Sequence, residues 1–395
     1  MVAPRTLNAE FAWSMIKLGR DQRYRYLDLI GDNAPLHFTI PDQIQQELMY
    51  IDQQLAGNLV SDDDSPLTQH QKELFIVSAL REEAIASSML EGAVTTRRAA
   101  KTMLKSGRKP RTVGERMVLN NYHAIEFIRD NRRHDLSPAL LLELQSILTE
   151  GTLEPSDQVG RFRKEEDSIQ VVDTRDGEVV HTPPPASELD ERIARLCKFA
   201  NQERHSGAFI HPVVQACIIH FQIGFDHPFC DGNGRTARAL FYWLMLRRGY
   251  WLFEYLPISR LIYLGPSKYV RAFLQCETDD FDVTYFLLYK ASIIRRARKG
   301  LREYIHKKLH DVSQARRLFS ADTRLNHRQR EVILAAARNP DSVFTIEDHK
   351  NQTSVAYGTA RRDMIDLATW GYFVLDRAGK RFEFRPAERL PTLST

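Results

Sequence analysis

The sequence predicts a mainly α-helical protein with one small β-hairpin and a separate helix-and-hairpin domain near its C-terminal end. Three observations carry that prediction. Apolar residues recur at three- and four-residue intervals along most of the chain. Only DSIQVVDTRDGEVVHTPPP sets β-branched runs on both sides of a turn. Past residue 290 the texture becomes basic, and segment 324–386 then carries its own helices and hairpin. A chain of 395 residues is too long for one ordinary core, so two or three domains are expected. Hydrophobic content of 43% and charged content of 27% describe a folded globular protein.

From the N-terminus, MVAPRTLNAEFAWSMIKLGR lacks an apolar core region and a small-residue cleavage site, which predicts no signal peptide. No stretch reaches the roughly 18 apolar residues of a membrane span. The longest candidate, 239–256, is broken by Arg247, Arg248 and Glu254. The four cysteines show no CxxC spacing, which predicts structural thiols and a cytoplasmic setting. Residues 42–58, 67–92 and 114–130 read as helices, and SDDDSP (61–66) as a polar loop ending in a helix cap. LSPALLLELQSILTEG is a helix capped by Ser137 and ended by Gly151. In the hairpin, 167–182, TRDG supplies the turn and Pro183–Pro185 stop the second strand. ASELDERIARLCKFAN resumes a helix. The expected divisions are an N-terminal helical region (1–113), a core (114–294), a basic connecting helix (295–323) and a C-terminal domain (324–395).

HPFCDGNGRTAR, residues 227–238, crowds polar groups between two core-like stretches, VVQACIIHFQIGF and ALFYWLMLRRGY. Gly232 and Gly234 let backbone amides approach a ligand. The helix that follows offers unpaired N–H groups and a positive dipole end, so the corner suits phosphate. Arg235 and Arg238, three apart, share a helix face and can clamp a polyphosphate. Asp231 offers a hard oxygen for Mg²⁺, and His227 can take a proton from an incoming nucleophile. Together these residues predict a nucleoside triphosphate site.

The stretch matches every specified position of HxFx(D/E)GNGRxxR and so resembles the signature of the Fic family, with the likeness reaching across most of residues 40–290. The resemblance implies a Fic helical core with the hairpin as its flap. It implies transfer of AMP from ATP to a Ser, Thr or Tyr hydroxyl of a protein, including the enzyme itself, with release of pyrophosphate. His227 would be the general base and Asp231 the Mg²⁺ ligand. Gly232, Asn233 and Gly234 would hold the α-phosphate, Arg235 and Arg238 the outer phosphates, and Thr236 and Ala237 would complete the ATP-binding segment. The Doc-type branch, which phosphorylates, replaces the second half of GNGR with an Ala-Asn-Lys pattern, so the intact motif here implies adenylylation. The 167–182 flap would dock the target as an added strand. SKYVRAFL is similar to a family helix near the base, making Tyr269 a candidate adenine contact, with a core tyrosine as the competing reading. SSMLEG (87–92) matches the family's inhibitory pattern, in which Ser87 and Glu91 share a helix face and Glu91 pairs with Arg238. Association of family members through the core leaves a homodimer open.

In the C-terminal segment, helix, short helix, longer helix and hairpin fit a winged helix-turn-helix. YGTARRDMIDLATWGYF resembles the recognition helix of that class. Arg361 and Arg362, with Lys380 and Arg381 at the wing tip, are candidates for DNA contact, and protein interaction is the alternative. Two other functional readings stay open: an ATP-sensing DNA-binding regulator, and a Fic enzyme that uses another nucleotide donor or removes AMP. The first has no use for a base at His227.

Overall fold

A computed structural model describes residues 8–319, 322, 324–338, 342–378 and 381–387, save Asn33, 56–68, 173–176, Glu203 and 206–207. The chain opens with α1 (Ala9–Asp21), the hairpin β1 (Arg25–Ile30) and β2 (Pro35–Phe38), and α2 (Asp42–Leu55). Four helices follow: α3 (Gln69–Leu90), α4 (Arg97–Ser106), α5 (Val113–Asp130) and α6 (Pro138–Thr149). Next come the hairpin β3 (Val171–Val172) and β4 (Val179–His181), α7 (Leu189–Asn201), and the short hairpin β5 (Arg204–His205) and β6 (Ala208–Phe209). Then α8 (Pro212–Asp226), α9 (Asn233–Arg247), α10 (Ile258–Tyr263), α11 (Pro266–Glu277) and α12 (Thr284–Phe319) succeed one another. The chain ends with α13 (His327–Arg338), β7 (Phe344–Thr345), α14 (Ile346–Thr353), α15 (Tyr357–Thr369), β8 (Phe373–Ala378) and β9 (Arg381–Pro386).

The fold is mainly helical, as expected, but its units are discontinuous. One compact unit comprises residues 1–58, 82–94 and 112–297; the other comprises 59–81, 95–111 and 298–395. The region 1–113, expected as one piece, is therefore divided between them. The basic helix expected from 295 is the latter part of α12, which starts at Thr284. Helices α2, α3 and α5 lie where periodicity placed them, while SDDDSP falls outside the described residues. The sequence reading saw one island of strand outside the C-terminal domain; the structure adds β1–β2 and β5–β6.

The first unit is built around α8 and α9. A helix apolar on all sides must be buried on all sides, and 13 of 15 residues are buried in each of these two. They pack on each other, with α5 and α6 against α9 and α7 against α8. Trp243, Phe221, Phe225, Phe229, Phe241, Phe253 and Phe286 fill the core completely. Local chemistry sets the helix starts. Ser137 accepts a hydrogen bond from the Leu140 amide, Thr112 from Glu115, and the His211 imidazole from Val213 ahead of Pro212.

A polar knot locks the end of α8. Asp226 is fully buried, and its Oδ1 accepts from Arg192 Nη1 at 3.1 Å and from Gln222 Nε2 at 2.9 Å. Burial pushes the Asp226 carboxyl up to about 6, while Gln222 and Arg192 favour its ionised form. Arg192 also donates to the carbonyls of Ile30 and Gly31, both at 2.8 Å, tying β1 to the same point.

In the second unit α14 packs on α4 and α15, and the sheet order is β7–β9–β8, antiparallel throughout. Val332, Ile333, Met364, Leu367, Phe373 and Phe384 belong to its core. Helix, short helix, helix and hairpin occur in the expected order, with β7 as an addition. The residues between β8 and β9, Gly379 and Lys380, lie outside the described set.

Breaking the knot has a defined cost. Arg192→Met strands a buried carboxylate and is expected to lower unfolding free energy by about 3–5 kcal/mol in urea melts. Adding Asp226→Leu to that variant is expected to recover part of the loss, because the uncompensated charge goes with it.

Candidate active site

The α8–α9 corner presents a base and an anion cradle on one rigid loop. His227 terminates α8 in the left-handed region, φ 44°, with its amide bonded to the Ile223 carbonyl at 3.1 Å. The ring Nδ1 lies 2.9 Å from the Gly224 carbonyl. A carbonyl only accepts, so Nδ1 carries the proton and Nε2 of the neutral ring keeps its lone pair. Nε2 has no protein partner among the described residues. Burial pushes the imidazole below its ordinary value of 6.5, against the Gly224 bond, which raises it. His227 is therefore a neutral imidazole at physiological pH, in the tautomer that a general base would need.

Five residues later the chain turns into α9 through Gly232, at φ 86°, a conformation that favours glycine. No side chain caps the helix, so the amides of its first turn face an anion position without a protein side-chain acceptor at the cap. Asn233 closes the loop: its Oδ1 accepts from the Phe229 amide at 2.9 Å and its Nδ2 donates to the Phe229 carbonyl at 2.8 Å. That side chain holds the loop through both bonds. Thr236 and Ala237 are fully buried on the inner side of α9, and the Thr236 amide already bonds the Gly232 carbonyl at 2.8 Å.

The two arginines also diverge. Arg235 is buried, donating to the Leu148 carbonyl and to Asp231 Oδ2, both at 2.7 Å. It braces the loop and Asp231 rather than sharing a clamp with Arg238. Asp231 keeps its side chain 39% exposed, with Oδ1 also accepting from the Gly232 amide at 2.6 Å. Arg238 turns to α3: Nε donates to Ser87 Oγ at 2.9 Å, and Nη2 to the Ser87 carbonyl at 3.0 Å.

Glu91 completes the corner. It follows α3 directly, in a turn that Gly92 closes at φ 83°. Its Oε1 lies 2.9 Å from Arg238 Nη2. A Cβ at Gly234 would sit 2.2 Å from that same oxygen, so the carboxylate rests directly on the start of α9. The pair that the SSMLEG pattern implied is thus present, 147 residues apart in sequence. Arg238 Nη1 is buried with no hydrogen-bond partner.

Several supports escaped the sequence reading. Arg163 donates to the carbonyls of His227 at 2.8 Å and Asp226 at 3.2 Å, and also to Pro184 at the foot of the hairpin. Gln145 donates to the Asp231 carbonyl at 3.2 Å and accepts from the Gly160 amide at 2.6 Å. Neither lies in a motif, and only a buried polar residue on an apolar helix face marks Gln145. The flap itself is β3–β4, and His181 on β4 bonds the Phe225 carbonyl at 2.7 Å and Glu277 at 3.1 Å. Tyr269 sits among Phe273, Phe286 and His220, its hydroxyl 2.9 Å from His220 Nε2. Burial pushes that phenol up to about 12. This is the aromatic-cluster setting of a core tyrosine, close enough to Arg238 and Glu91 to feel both charges.

Among the described residues no group of three or more His, Cys, Asp or Glu side chains could hold a metal unaided. All four cysteines are free thiols, and no helix is long and apolar enough to cross a membrane among the described residues.

Comparison with known proteins agrees with this geometry. Residues 135–245 match the sequence model of the Fic/DOC family. Over 70 residues the chain is 40% identical to a protein adenylyltransferase Fic of Drosophila ananassae and 41% identical to that of Drosophila melanogaster. Those matches cover 18% of this chain and 14% of each relative, so the chain spans about a seventh of their length. A Fic family protein from Desulfovibrio desulfuricans shares the fold, with a TM-score of 0.54 and 20% identity over 89% of this chain and 98% of that one. A Fic domain containing signaling protein from Bacteroides thetaiotaomicron gives 0.52 and 19% identity over 67% of this chain and 97% of that one.

The anion position can be tested without any assumed reaction. Glu91→Ala leaves Arg238 and the α9 amides unfilled. Inorganic tripolyphosphate is expected to raise the melting temperature of that variant and leave the parent protein's nearly unchanged. Saturation at about 100 times Kd corresponds to about 2.7 kcal/mol.

Proposed function

We propose that this protein is a protein adenylyltransferase held in check by Glu91. The observation that carries the reading is a carboxylate seated on the uncapped start of α9 and paired with Arg238, beside a histidine whose Nε2 is unprotonated. An internal anion occupies the place where the outer phosphates of ATP would lie, and a base stands next to it.

In the transfer, a Ser, Thr or Tyr oxygen of the target attacks the α-phosphorus of ATP. The bond from phosphorus to the bridging oxygen of pyrophosphate breaks, and the hydroxyl proton passes to His227 Nε2. The Gly224 carbonyl keeps the opposite face of the ring protonated and so stabilises the imidazolium that forms. The α9 amides and Arg238 neutralise charge on the phosphates, so positioning and electrostatics account for most of the rate. Asp231 fits Mg²⁺: it is half exposed at the cradle, and this ion is usually held by one or two carboxylates with substrate phosphates and water. When bound, the ion would offset phosphate charge. The β3–β4 edge, with Val172 and Val179 about half exposed, would receive the target chain as an added strand.

Glu91 acts by occupancy. It holds one face of Arg238 and sets negative charge where the γ-phosphate would bind. Ser87 supports the same arrangement from the preceding turn.

With ATP labelled in the α-phosphate, Glu91→Gly is expected to raise self-modification at least tenfold, and Glu91→Gly with His227→Ala to abolish it. Label retained from the γ-phosphate instead would contradict AMP transfer. Since burial depresses the His227 pKa, the base stays unprotonated to lower pH than a free imidazole. The acid limb of kcat/KM in Glu91→Gly is therefore expected to fall below pH 6.5.

A further inference from the structure

The last turn of α8 leaves carbonyls that the helix itself cannot pair. Side chains around the base take them up. The Gly224 carbonyl accepts from His227 Nδ1 at 2.9 Å, and those of Asp226 and His227 accept from Arg163 at 3.2 and 2.8 Å. Between them, the Phe225 carbonyl accepts from Nε2 of His181 at 2.7 Å. His181 belongs to β4, so this bond ties the second strand of the hairpin to the residue two before the base. Its other nitrogen, Nδ1, lies 3.1 Å from the Glu277 carboxylate at the end of α11. Arg163 repeats the tie three residues on by donating to the Pro184 carbonyl.

We propose that His181 is a positioning residue for the transfer: as an imidazolium it clamps β4 to the ends of α8 and α11, and loss of its proton frees the hairpin from the base. The charge follows from geometry. A carbonyl and a carboxylate only accept, so both ring nitrogens carry protons. A cation also suits this place, where the negative end of the α8 dipole meets the ring. The charged and titratable groups facing it are Glu277 from α11, Asp32 between β1 and β2, the His227 imidazole and, on the adjoining carbonyls, Arg163. Burial opposes the charge, but Glu277 and the Phe225 carbonyl outweigh it and raise the imidazole above its ordinary 6.5. The clamp is therefore complete below about pH 6.5 and is lost as pH rises through that raised value.

Two imidazoles thus meet at the end of α8 in opposite protonation states. His227 keeps a bare Nε2, and both nitrogens of His181 are protonated. Burial holds the base below its ordinary value, and the neighbouring His181 charge adds to that. The rate consequence rests on the transfer reading, in which the hairpin would carry the acceptor as an added strand. His181 pairs with Val171 in the β3–β4 ladder, so the clamp acts on the ladder itself. It would set where the acceptor hydroxyl lies against Nε2 of His227, and a misplacement of about 1 Å can cost about 100-fold in rate.

The test follows the full-length chain from about pH 5.5 to about pH 9. Hydrogen–deuterium exchange at the β4 amides, corrected for the intrinsic effect of pH, is expected to quicken about tenfold as His181 loses its proton. The ring titration, read by NMR, is expected to have its midpoint above 6.5. His181→Gln, which keeps an amide donor for the Phe225 carbonyl, is expected to abolish the exchange step. The milder Glu277→Gln is expected to move the midpoint of both readings to lower pH. On a Glu91→Gly background, self-modification is expected to show an alkaline limb with the same midpoint. That limb should vanish in His181→Gln, with the rate on its acid side lowered about tenfold. Exchange without a step in the parent protein, a ring midpoint at or below the ordinary value, or an alkaline limb unmoved in both variants would overturn the proposal. Exchange and the ring titration do not depend on transfer, so they decide the clamp even where Glu91→Gly transfers nothing.

Discussion

The candidate site turns on one contact, the Glu91 carboxylate on the start of α9. A helix N-terminus carries unpaired amides and about half a positive charge, and Arg238 adds a full one. A carboxylate placed there needs no solvation from water. Because Glu91 belongs to the chain, under the proposed function it would compete with an external anion as a permanently tethered ligand. On the proposed reading, a seated state favoured 99 to 1 would lower apparent nucleotide affinity about 100-fold. Inhibition of the proposed kind would require no distortion of the site.

Rigidity on both sides makes the contact effective. On the α9 side, Asn233, Arg235, Gln145 and Arg163 fix the loop through backbone carbonyls and amides. On the α3 side, Ser88 donates to the Met117 carbonyl at 3.1 Å, and Asn121 donates to the Ala84 carbonyl and to Ser88. Glu83, buried below, accepts from the Ser259 amide at 2.9 Å. These are fully buried polar groups that an apolar core tolerates only when paired, so each pairing specifies where α3 ends. Glu91 is thereby delivered to Arg238 by packing rather than by its own flexible side chain.

Much of this was legible in the sequence, for reasons that differ residue by residue. The uniformly apolar flanks of 227–238 announced two helices buried all round, and Ser137 and Gly151 marked the ends of α6. The base and the glycine turn followed from residue types alone. The pairing of Glu91 with Arg238 did not; a glutamate four residues after a serine on a helix reads as a solvated face, and only the family resemblance tied it to a distant arginine. Asn233, Thr236 and Ala237 were read as ligand contacts through the family motif, and Arg235 through its three-residue spacing to Arg238. Helical periodicity turns Thr236 and Ala237 inward, and a loop this polar must satisfy its own backbone before it can offer groups to a ligand. The strands β1 and β2 carried alternation at Leu27, Leu29, Leu36 and Phe38 that the dominant helical signal masked. The interleaving of the two units had no sequence signal at all, since it depends on which neighbours α3 and α4 find in space.

What the seated carboxylate leaves undone sets this contact apart from a purely structural ion pair. In a purely structural pair, buried donors are matched to acceptors, because an unpaired one costs about 1–3 kcal/mol. Here Glu91 Oε1 engages Arg238 Nη2, while Nη1 of the same guanidinium is buried with no partner, and no side chain caps the first turn of α9. Two carboxylate oxygens are too few for the donors gathered at this corner. A terminal phosphate presents three, in a tetrahedron that can reach Nη1 and the helix amides together. The corner is therefore incompletely satisfied by its own chain, as the proposed binding of a terminal phosphate would require.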